Sequence, residues 1–331
     1  MIIESRAYAR AGLLGNPSDG YFGKTISISV RNFGAHVSLY ETPELKIEPQ
    51  EEDRNIFRNV FDLVERVRLT GYYGGDRLIK AAITTFVQYC EDQNIRIANK
   101  NFTIRYRSSI PRQVGLAGSS AIITATMKAL MRFFEVDIPR EILPNLILKA
   151  EKEELGINAG LQDRVIQVYE GCVYMNFDRQ IMEKQGYGLY EPIDPERLPK
   201  LYLGYKVSLG KVSGVVLNNI RERYEKGDAE VLETLTEIAE QAEIGKRALL
   251  EGDLPALNQA IDRNFDLRQK IMPISESNLE MIRAARKCGA SAKFSGSGGS
   301  IIGVYLDDEM LTRLIIELKK INVRVIKPYV S

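Results

Sequence analysis

The stretch that most restricts the fold is 110–134, IPRQVGLAGSSAIITATMKALMRFF. Gly115 and Gly118 tolerate backbone angles that other residues resist, and they put no side chain in the way of a ligand. Ser119 and Ser120 stand where a helix would begin, in the position from which a hydroxyl caps free backbone N–H groups. Along the helix that follows, Ile123, Met127, Leu130, Met131 and Phe134 fall on one face. Ala121, Ala125 and Ala129 form a flat stripe for close packing. A glycine loop that runs into a helix start aims several N–H groups and the positive end of the dipole at one point, which suits a phosphate. The other reading is a capped core helix after a turn. No Gly-Lys-Ser/Thr run follows the glycines, so this is not a Walker loop. Positive charge near a phosphate must then come from Mg²⁺ or from a distant residue.

Composition narrows the chemistry. The 331 residues suffice for about two domains. Forty-five basic residues against 44 acidic ones give a net charge of +1, with no electrostatic footprint for nucleic acid or an anionic membrane. No apolar run approaches the roughly 18 residues of a membrane span, and the N-terminus lacks the layout of a signal peptide. Cys90, Cys172 and Cys288 are odd in number and far apart, so neither a disulfide framework nor a metal site is expected, and a cytoplasmic setting is the default. His36 is the only histidine, which removes histidine triads and zinc clusters together. Chemistry here rests on carboxylates, Lys or Arg, backbone N–H groups and a hard metal.

In chain order, residues 2–14 read as a strand that ends in GNPSDGYFGK, a segment dense in turn formers. A plain hairpin turn is one reading. Ten residues rich in hydrogen-bonding side chains favour the other, a loop that holds a polar substrate. Strands follow at TISISV, AHVSLYE and LKIEP, then a helix at 55–69 and the turn TGYYGG, whose Tyr72 and Tyr73 either pack at an edge or touch a base or sugar. A helix at 76–92 and a strand at 102–108 lead to the central loop. Beyond it the pattern predicts a helix over about 139–155, with Glu151, Glu153 and Glu154 on a solvated face. In the short helix after it, Leu161, Val165 and Val168 face inward, and Asp163 beside Arg164 reads as a surface ion pair. A strand at 171–178 closes the first domain, and 179–199 reads as a linker. The second half alternates the strand KLYLGYKVS, helices at 213–226, 229–251, 254–271 and 276–288, the strands ASAKF and IIGVYL, a helix at 307–320 and VRVIKP, an α+β layer. Between ASAKF and IIGVYL, Gly296, Gly298 and Gly299 exceed what a turn needs and point to close backbone approach to a ligand.

Three glycine-bearing stretches, GLLGNPSDGYFG, PRQVGLAGSSA and KFSGSGGSIIGV, give the chain a resemblance over essentially its whole length to the superfamily of galacto-, homoserine, mevalonate and phosphomevalonate (GHMP) kinases. More narrowly, ARAGLLGNPSDGYFGKTIS, GYYGGDRL, IPRQVGLAGSSAI, AEKEELGINAGLQDRVIQVYEG and KFSGSGGS look like the glucuronokinases of that superfamily, which phosphorylate D-glucuronate at its anomeric hydroxyl. Asn16 and Pro17 replace the Glu-His of the commoner first motif, and the glucuronokinase form carries the same NPSD. The resemblance implies an α+β GHMP kinase fold. A domain like domain 2 of ribosomal protein S5 (1–180) would bind ATP, a ferredoxin-like domain (181–331) would follow, and the active site would lie in the cleft between them. It implies a cytoplasmic monomer or homodimer acting on ATP, Mg²⁺ and a sugar acid. The alternatives are an anomeric kinase for galacturonate, a hexose or a heptose phosphate, or a sensor without turnover.

On this resemblance Asp163 matches the catalytic aspartate that accepts or polarises the hydroxyl proton, and Arg10 the basic residue paired with it. Glu151 and Ser120, with Ser119 in reserve, match the Mg²⁺ ligands. Pro111, Gly115, Leu116, Ala117, Gly118, Ser119, Ser120 and Ala121 would cradle the nucleotide. Ser295, Gly296, Ser297, Gly298 and Gly299 would close the site from the second domain. Asn16, Asp19, Tyr21 and Lys24 lie in the loop that relatives use for the acceptor. A sugar carboxylate also needs a cation, and Arg112, Arg164, Arg77 and Lys24 are candidates among which the sequence does not choose.

Overall fold

The computed structural model describes residues 1–49, 74–207 and 215–331. The helix expected at 55–69 and the Tyr72–Tyr73 turn lie outside them. The chain opens as a long hairpin: β1 (Ile2–Leu14) pairs antiparallel with β2 (Lys24–Glu41), from Ile2 opposite Tyr40 to Leu14 opposite Ile26. Ile26, Ile28, Val30, Val37 and Leu39 are fully buried along β2, the β-branched and aliphatic content expected of a central strand. β2 is long enough to hold two partners on its other edge. Its start pairs with β5 (Cys172–Asn176) and its end with β4 (Phe102–Ser108). β3 (Lys46–Glu48) beside β4 and β6 (Leu189–Ile193) beside β5 complete a six-stranded sheet.

Helices α1 (Gly75–Asp92), α2 (Gly118–Phe134), α3 (Leu143–Lys149) and α4 (Gln162–Tyr169) belong to this half, and α2 packs on β1 and β2. In the second half β7 (Leu201–Lys206), β8 (Lys293–Phe294), β9 (Ser300–Val304) and β10 (Val323–Ile326) form an antiparallel sheet in the order β10-β7-β9-β8. This is the strand order of a ferredoxin-like β-α-β-β-α-β unit. Among the described residues its first crossover holds four helices in place of one: α6 (Val215–Glu225), α7 (Ala229–Glu251), α8 (Leu254–Ile271) and α9 (Glu276–Lys287). Its second crossover is α10 (Asp308–Lys320). Asp228, Asp253 and Asp307 start α7, α8 and α10 by accepting hydrogen bonds from backbone N–H groups three residues on. One buried cluster runs from β1, β2 and α2 into α7, α8, β7 and β9, so the two sheets share a core. Among the described residues no helix is long and apolar enough to cross a membrane.

Four expectations need correcting. The stretch 179–199 is not a linker. It holds α5 (Arg179–Gln185), capped by Asp178, and then β6, which extends the first sheet to Ile193. As an edge strand with Pro192 inside it and Leu189 exposed, β6 shows no apolar alternation to read. The expected 139–155 helix is α3 followed by a wide π turn over Ala150–Glu154, where Ile157 N–H reaches back to Glu151 O at 2.8 Å. Neither Ser119 nor Ser120 caps α2. Ala117, in the left-handed region at φ 60°, takes the cap position, and Ser120 Oγ donates to Ala117 O at 3.2 Å. Nor does α2 have one buried face: Ile122, Thr124 and Thr126 are buried along with Ile123 and Met127, because it lies in the shared core.

Gly303 marks the tightest approach in the second sheet. A Cβ there would collide with the Ser291 carbonyl oxygen and sit 3.0 Å from Tyr202 Cε1. Neither neighbour has room to retreat, because Tyr202 OH donates to Ser291 O at 2.9 Å and Val304 N–H donates to Ser291 Oγ at 3.0 Å. Gly303→Ala is therefore expected to lower stability by about 1–3 kcal/mol, measured as a lower urea midpoint at constant m-value.

Candidate active site

A cleft of about 940 Å³ is lined by residues of both halves. Arg10, on β1 and 5% exposed, is its junction. Its Nη2 pairs with Asp163 Oδ1 at 2.6 Å, and its Nη1 donates to Ser295 O at 2.5 Å and Gly115 O at 3.1 Å. Its backbone N–H donates to Leu116 O at 3.2 Å. One side chain thus fastens the glycine loop before α2, the glycine loop before β9 and the aspartate of α4. The two loops meet backbone to backbone. A Cβ on Gly296 would collide with Gly115 O, and one on Gly115 would lie 3.0 Å from Ser297 N. Gly115 also sits at φ 72°, where a Cβ is strained in any case.

The first turn of α4 presents Asp163 to the cleft, with its side chain 19% exposed. Arg164 also lines the cleft, with Nη1 3.4 Å from Asp163 Oδ2, and its hydrogen bonds run back towards the π turn. Its Nε donates to Glu151 Oε2 at 2.6 Å, its Nη2 reaches the same oxygen, and its Nη1 donates to Gly160 O at 2.8 Å. Glu151 is 1% exposed and Arg164 4%, so this is a buried pair tying the π turn to α4. The glutamate is not solvated, and the expected Asp163–Arg164 pair does form, at 3.4 Å, but in the cleft rather than at the surface. The π turn explains the first, because the wide turn carries Glu151 off the face that a 3.6-residue period assigns it.

These groups set one another's protonation. Burial alone would raise the Asp163 carboxyl, but the Arg10 and Arg164 guanidiniums outweigh it and hold it below the usual value. Asp19 goes the other way. Burial, then the nearby Asp163 carboxylate, push it up to about 6, although Gln162 N–H donates to it at 3.3 Å. Burial opposes the Arg164 charge, and Glu151 and Asp163 more than restore it. In the second half Arg268, on α8, donates from Nη1 to Gly296 O at 2.8 Å, and its Nε is buried without a partner. Burial, with Arg10 nearby, lowers it to about 10. Lys293 on β8 is held well below the usual lysine range, by burial first and then by Arg268 and Arg10. Its Nζ donates to Gly12 O and Phe294 O, each at 2.8 Å, and to Asn16 Oδ1. From α8, Asn264 accepts from Gly15 N–H at 2.7 Å and donates to Asn16 O at 3.2 Å. The loop at 15–21 is therefore anchored by the second half of the chain.

Family models for the GHMP kinases N terminal domain and the GHMP kinases C terminal match residues 77–171 and 246–318. A probable glucuronokinase 2 of Arabidopsis thaliana is 46% identical over 308 residues, spanning 91% of this chain and 84% of that protein. The chain belongs to the GHMP kinase family. Glucuronokinase 1 of the same plant is 42% identical over 306 residues, again spanning 91% of this chain and 84% of its own length. Among solved structures, Lactococcus lactis galactokinase complexed with galactose superposes with a TM-score of 0.76 at 14% identity, over 99% of this chain and 93% of that one. Streptococcus pneumoniae phosphomevalonate kinase in complex with phosphomevalonate and AMPPNP gives 0.77 at 14% identity, over 98% and 99%. At such identity the likeness concerns the fold alone.

In this GHMP kinase the cleft gathers most of the residues singled out in the sequence. Pro111, Arg112, Gly115 to Ser120, Glu151, Asp163 and Arg164 line it, as do Asn16, Asp19, Tyr21 and Gly296 to Gly299. Four others lie outside the lining. Ala121 is in the core, and Lys24 forms an ion pair with Glu243 at 2.6 Å. Ser295 is fully buried with its Oγ on Ser300 Oγ, and Arg77 opens α1 away from the lining. The sequence reading missed Asn264, Arg268 and Lys293. A signal existed for two of them: Leu257, Ile261, Asn264 and Arg268 recur at helical spacing, which places an amide and a cation on the buried face of α8.

Because Asp19 is raised from 3.8 to about 6, the native protein binds this proton more readily than the unfolded chain. Its contribution to stability therefore declines as pH rises between those two values and stays low above them. Asp19→Asn removes that buried charge. The variant is expected to melt above the wild type at pH 8 and level with it below pH 4, as read by calorimetry at both pH values.

Proposed function

We propose that the protein is an ATP-dependent sugar kinase that transfers the γ-phosphoryl group to the anomeric hydroxyl of D-glucuronate, giving glucuronate 1-phosphate. The observation that carries this reading is the Asp163 carboxylate, paired with Arg10 at 2.6 Å and facing the same cleft as the two glycine loops. The two Arabidopsis relatives are named for the same activity. The sugar hydroxyl oxygen attacks the γ-phosphorus and the bond to the β,γ-bridging oxygen breaks. ADP leaves, and the hydroxyl proton passes to Asp163. A depressed carboxyl pKa suits this chemistry. The transition state is loose, the proton leaves late, and the main tasks are to position the nucleophile and stabilise charge. Arg10 fixes the carboxylate, and the amides of Gly115 to Ser120 and of Gly296 to Gly299 meet the phosphates.

The donors suit a hard divalent ion. The described residues hold no cluster of three or more His, Cys, Asp or Glu side chains, so a metal here takes most of its ligands from phosphate and water, as Mg²⁺ commonly does. Ser120 Oγ and Glu151 would hold it; the pair with Arg164 uses only Oε2 of the glutamate. Bound there, Mg²⁺ would neutralise charge on the transferring phosphoryl group.

Asp163→Asn is expected to lower kcat by about 10²–10⁴-fold with the Kd for ATP little changed. Single-turnover kinetics beside calorimetric titration of ATP would measure both, and wild-type turnover in the variant would remove the assignment. A panel of uronic acids and neutral hexoses in an ADP-release assay tests the acceptor. The expected order places glucuronate first, and equal rates on glucose and galactose would exclude a uronate kinase.

A further inference from the structure

Among the described residues six cationic side chains line the cleft: Arg10, Arg112, Arg164, Lys206, Arg221 and Arg268. Four have work that occupies their donors. Arg10 holds Asp163, and Arg164 forks onto Glu151. Lys206 Nζ donates to Ser277 Oγ at 2.9 Å and Asn278 Oδ1 at 2.8 Å. Arg268 spends Nη1 and Nη2 on the carbonyls of Gly296 and Ser297. Arg112 precedes Gly115 by three residues and stands at the phosphate loop.

Arg221 differs from all of these. It lies half-buried on α6 and makes no hydrogen bond or ion pair among the described residues. Of its neighbours, Arg223 pairs with Asp228 at 2.7 Å and Glu230 at 2.9 Å, and Glu222 with Lys226 at 2.6 Å, while Glu225 makes no ion pair among the described residues. Arg221 is also on the acceptor side of the cleft. Tyr21, two residues after Asp19, packs against Tyr224 of α6 with ring centroids 4.8 Å apart and the rings tilted by 53°. Burial raises the Tyr21 phenol, and the charge of Arg221 is the foremost influence opposing it. A partly desolvated guanidinium with its whole fork unspent, beside the loop that carries Asn16 and Asp19, matches a planar carboxylate in shape and charge.

We propose that Arg221 receives the carboxylate of the sugar acid, beside Tyr21, and so sets the preference for uronates over neutral sugars. This rests on the uronate-kinase reading above. Of the candidates the sequence offered, Arg164 and Lys24 are already paired with acids, and Arg77 does not line the cleft.

The test compares D-glucuronate with its uncharged isostere D-glucuronamide in the wild type, Arg221→Gln and Arg221→Lys. The wild type is expected to favour glucuronate by ~100-fold in kcat/KM, and R221Q to bring the ratio to within ~5-fold of unity, mainly through KM. R221K should fall between, since it keeps the charge and loses the fork. A ratio that persists in R221Q, or an equal fall on both substrates, overturns the proposal. So does a wild-type ratio near one, which leaves a sugar kinase that ignores the carboxylate. Absence of wild-type turnover on glucuronate would instead overturn the function on which the proposal rests.

Discussion

Arg10 sits where three backbone segments and one carboxylate converge, and the geometry of the cleft follows from how its donors are divided. Nη2 goes to Asp163, while Nη1 is shared between carbonyls of the two glycine loops, one from each half of the chain. Moving any one of these acceptors disturbs the other two, because the guanidinium is planar and its donors have fixed directions. The loops gain a fixed separation from this, and the absence of a Cβ at Gly115 and Gly296 lets their backbones close to contact around it. The result is two glycine loops whose spacing depends on a charged group held between their carbonyls.

That arrangement has an energetic cost. Arg268 and Lys293 are lowered first by burial, and the charge of Arg10 adds to the lowering of both. Opposite them stand Asp163, held ionised, and Asp19, pushed towards protonation. Arg268 has no carboxylate partner among the described residues, and burying an uncompensated ion costs several kcal/mol. Such a cluster is a poor way to stabilise a fold, and on the proposed reading a polyphosphate would supply the charge that the protein leaves out. The shared core beneath it, continuous through both sheets, supplies the stability that the cleft does not.

The sequence disclosed more of this fold than of its site. Strands β1 and β4 and helices α7 and α8 lie where the sequence put them, while the strands expected at 25–30 and 35–41 are one continuous β2. Two of the failures share a cause, namely backbone that departs from a regular period. At 150–154 the π turn breaks the 3.6-residue repeat and hides Glu151, and at 117 a left-handed alanine displaces the serine cap. Motif spacing did bring together Arg10, Asp19, Ser120 and Asp163, because local sequence fixes each loop and the sheets fix the loops. Which cation answers which anion was not legible. That depends on partners far along the chain, such as Glu243 for Lys24, 219 residues away by the numbering (243 − 24).

The division between amides and side chains bears on how one fold accepts different substrates. Galactokinase and phosphomevalonate kinase share this architecture at 14% identity, although one is complexed with galactose and the other with phosphomevalonate. Fold alone therefore carries no information about the acceptor. On the proposed reading, backbone N–H groups at the glycine loops would recognise phosphate whatever the side chains are, so that part of the site would be set by the fold. Discrimination must come from side chains reaching in from elements whose sequence is free to vary. In this chain those elements are the 15–21 loop and helices α6 and α8, all tied to the second half through Asn264, Lys293 and the Tyr21–Tyr224 contact. An acceptor carboxylate recognised there is read by the half of the protein that does not carry Asp163. On the proposed reading, charge recognition and proton acceptance would be separate functions of the two halves, joined by the guanidinium of Arg10.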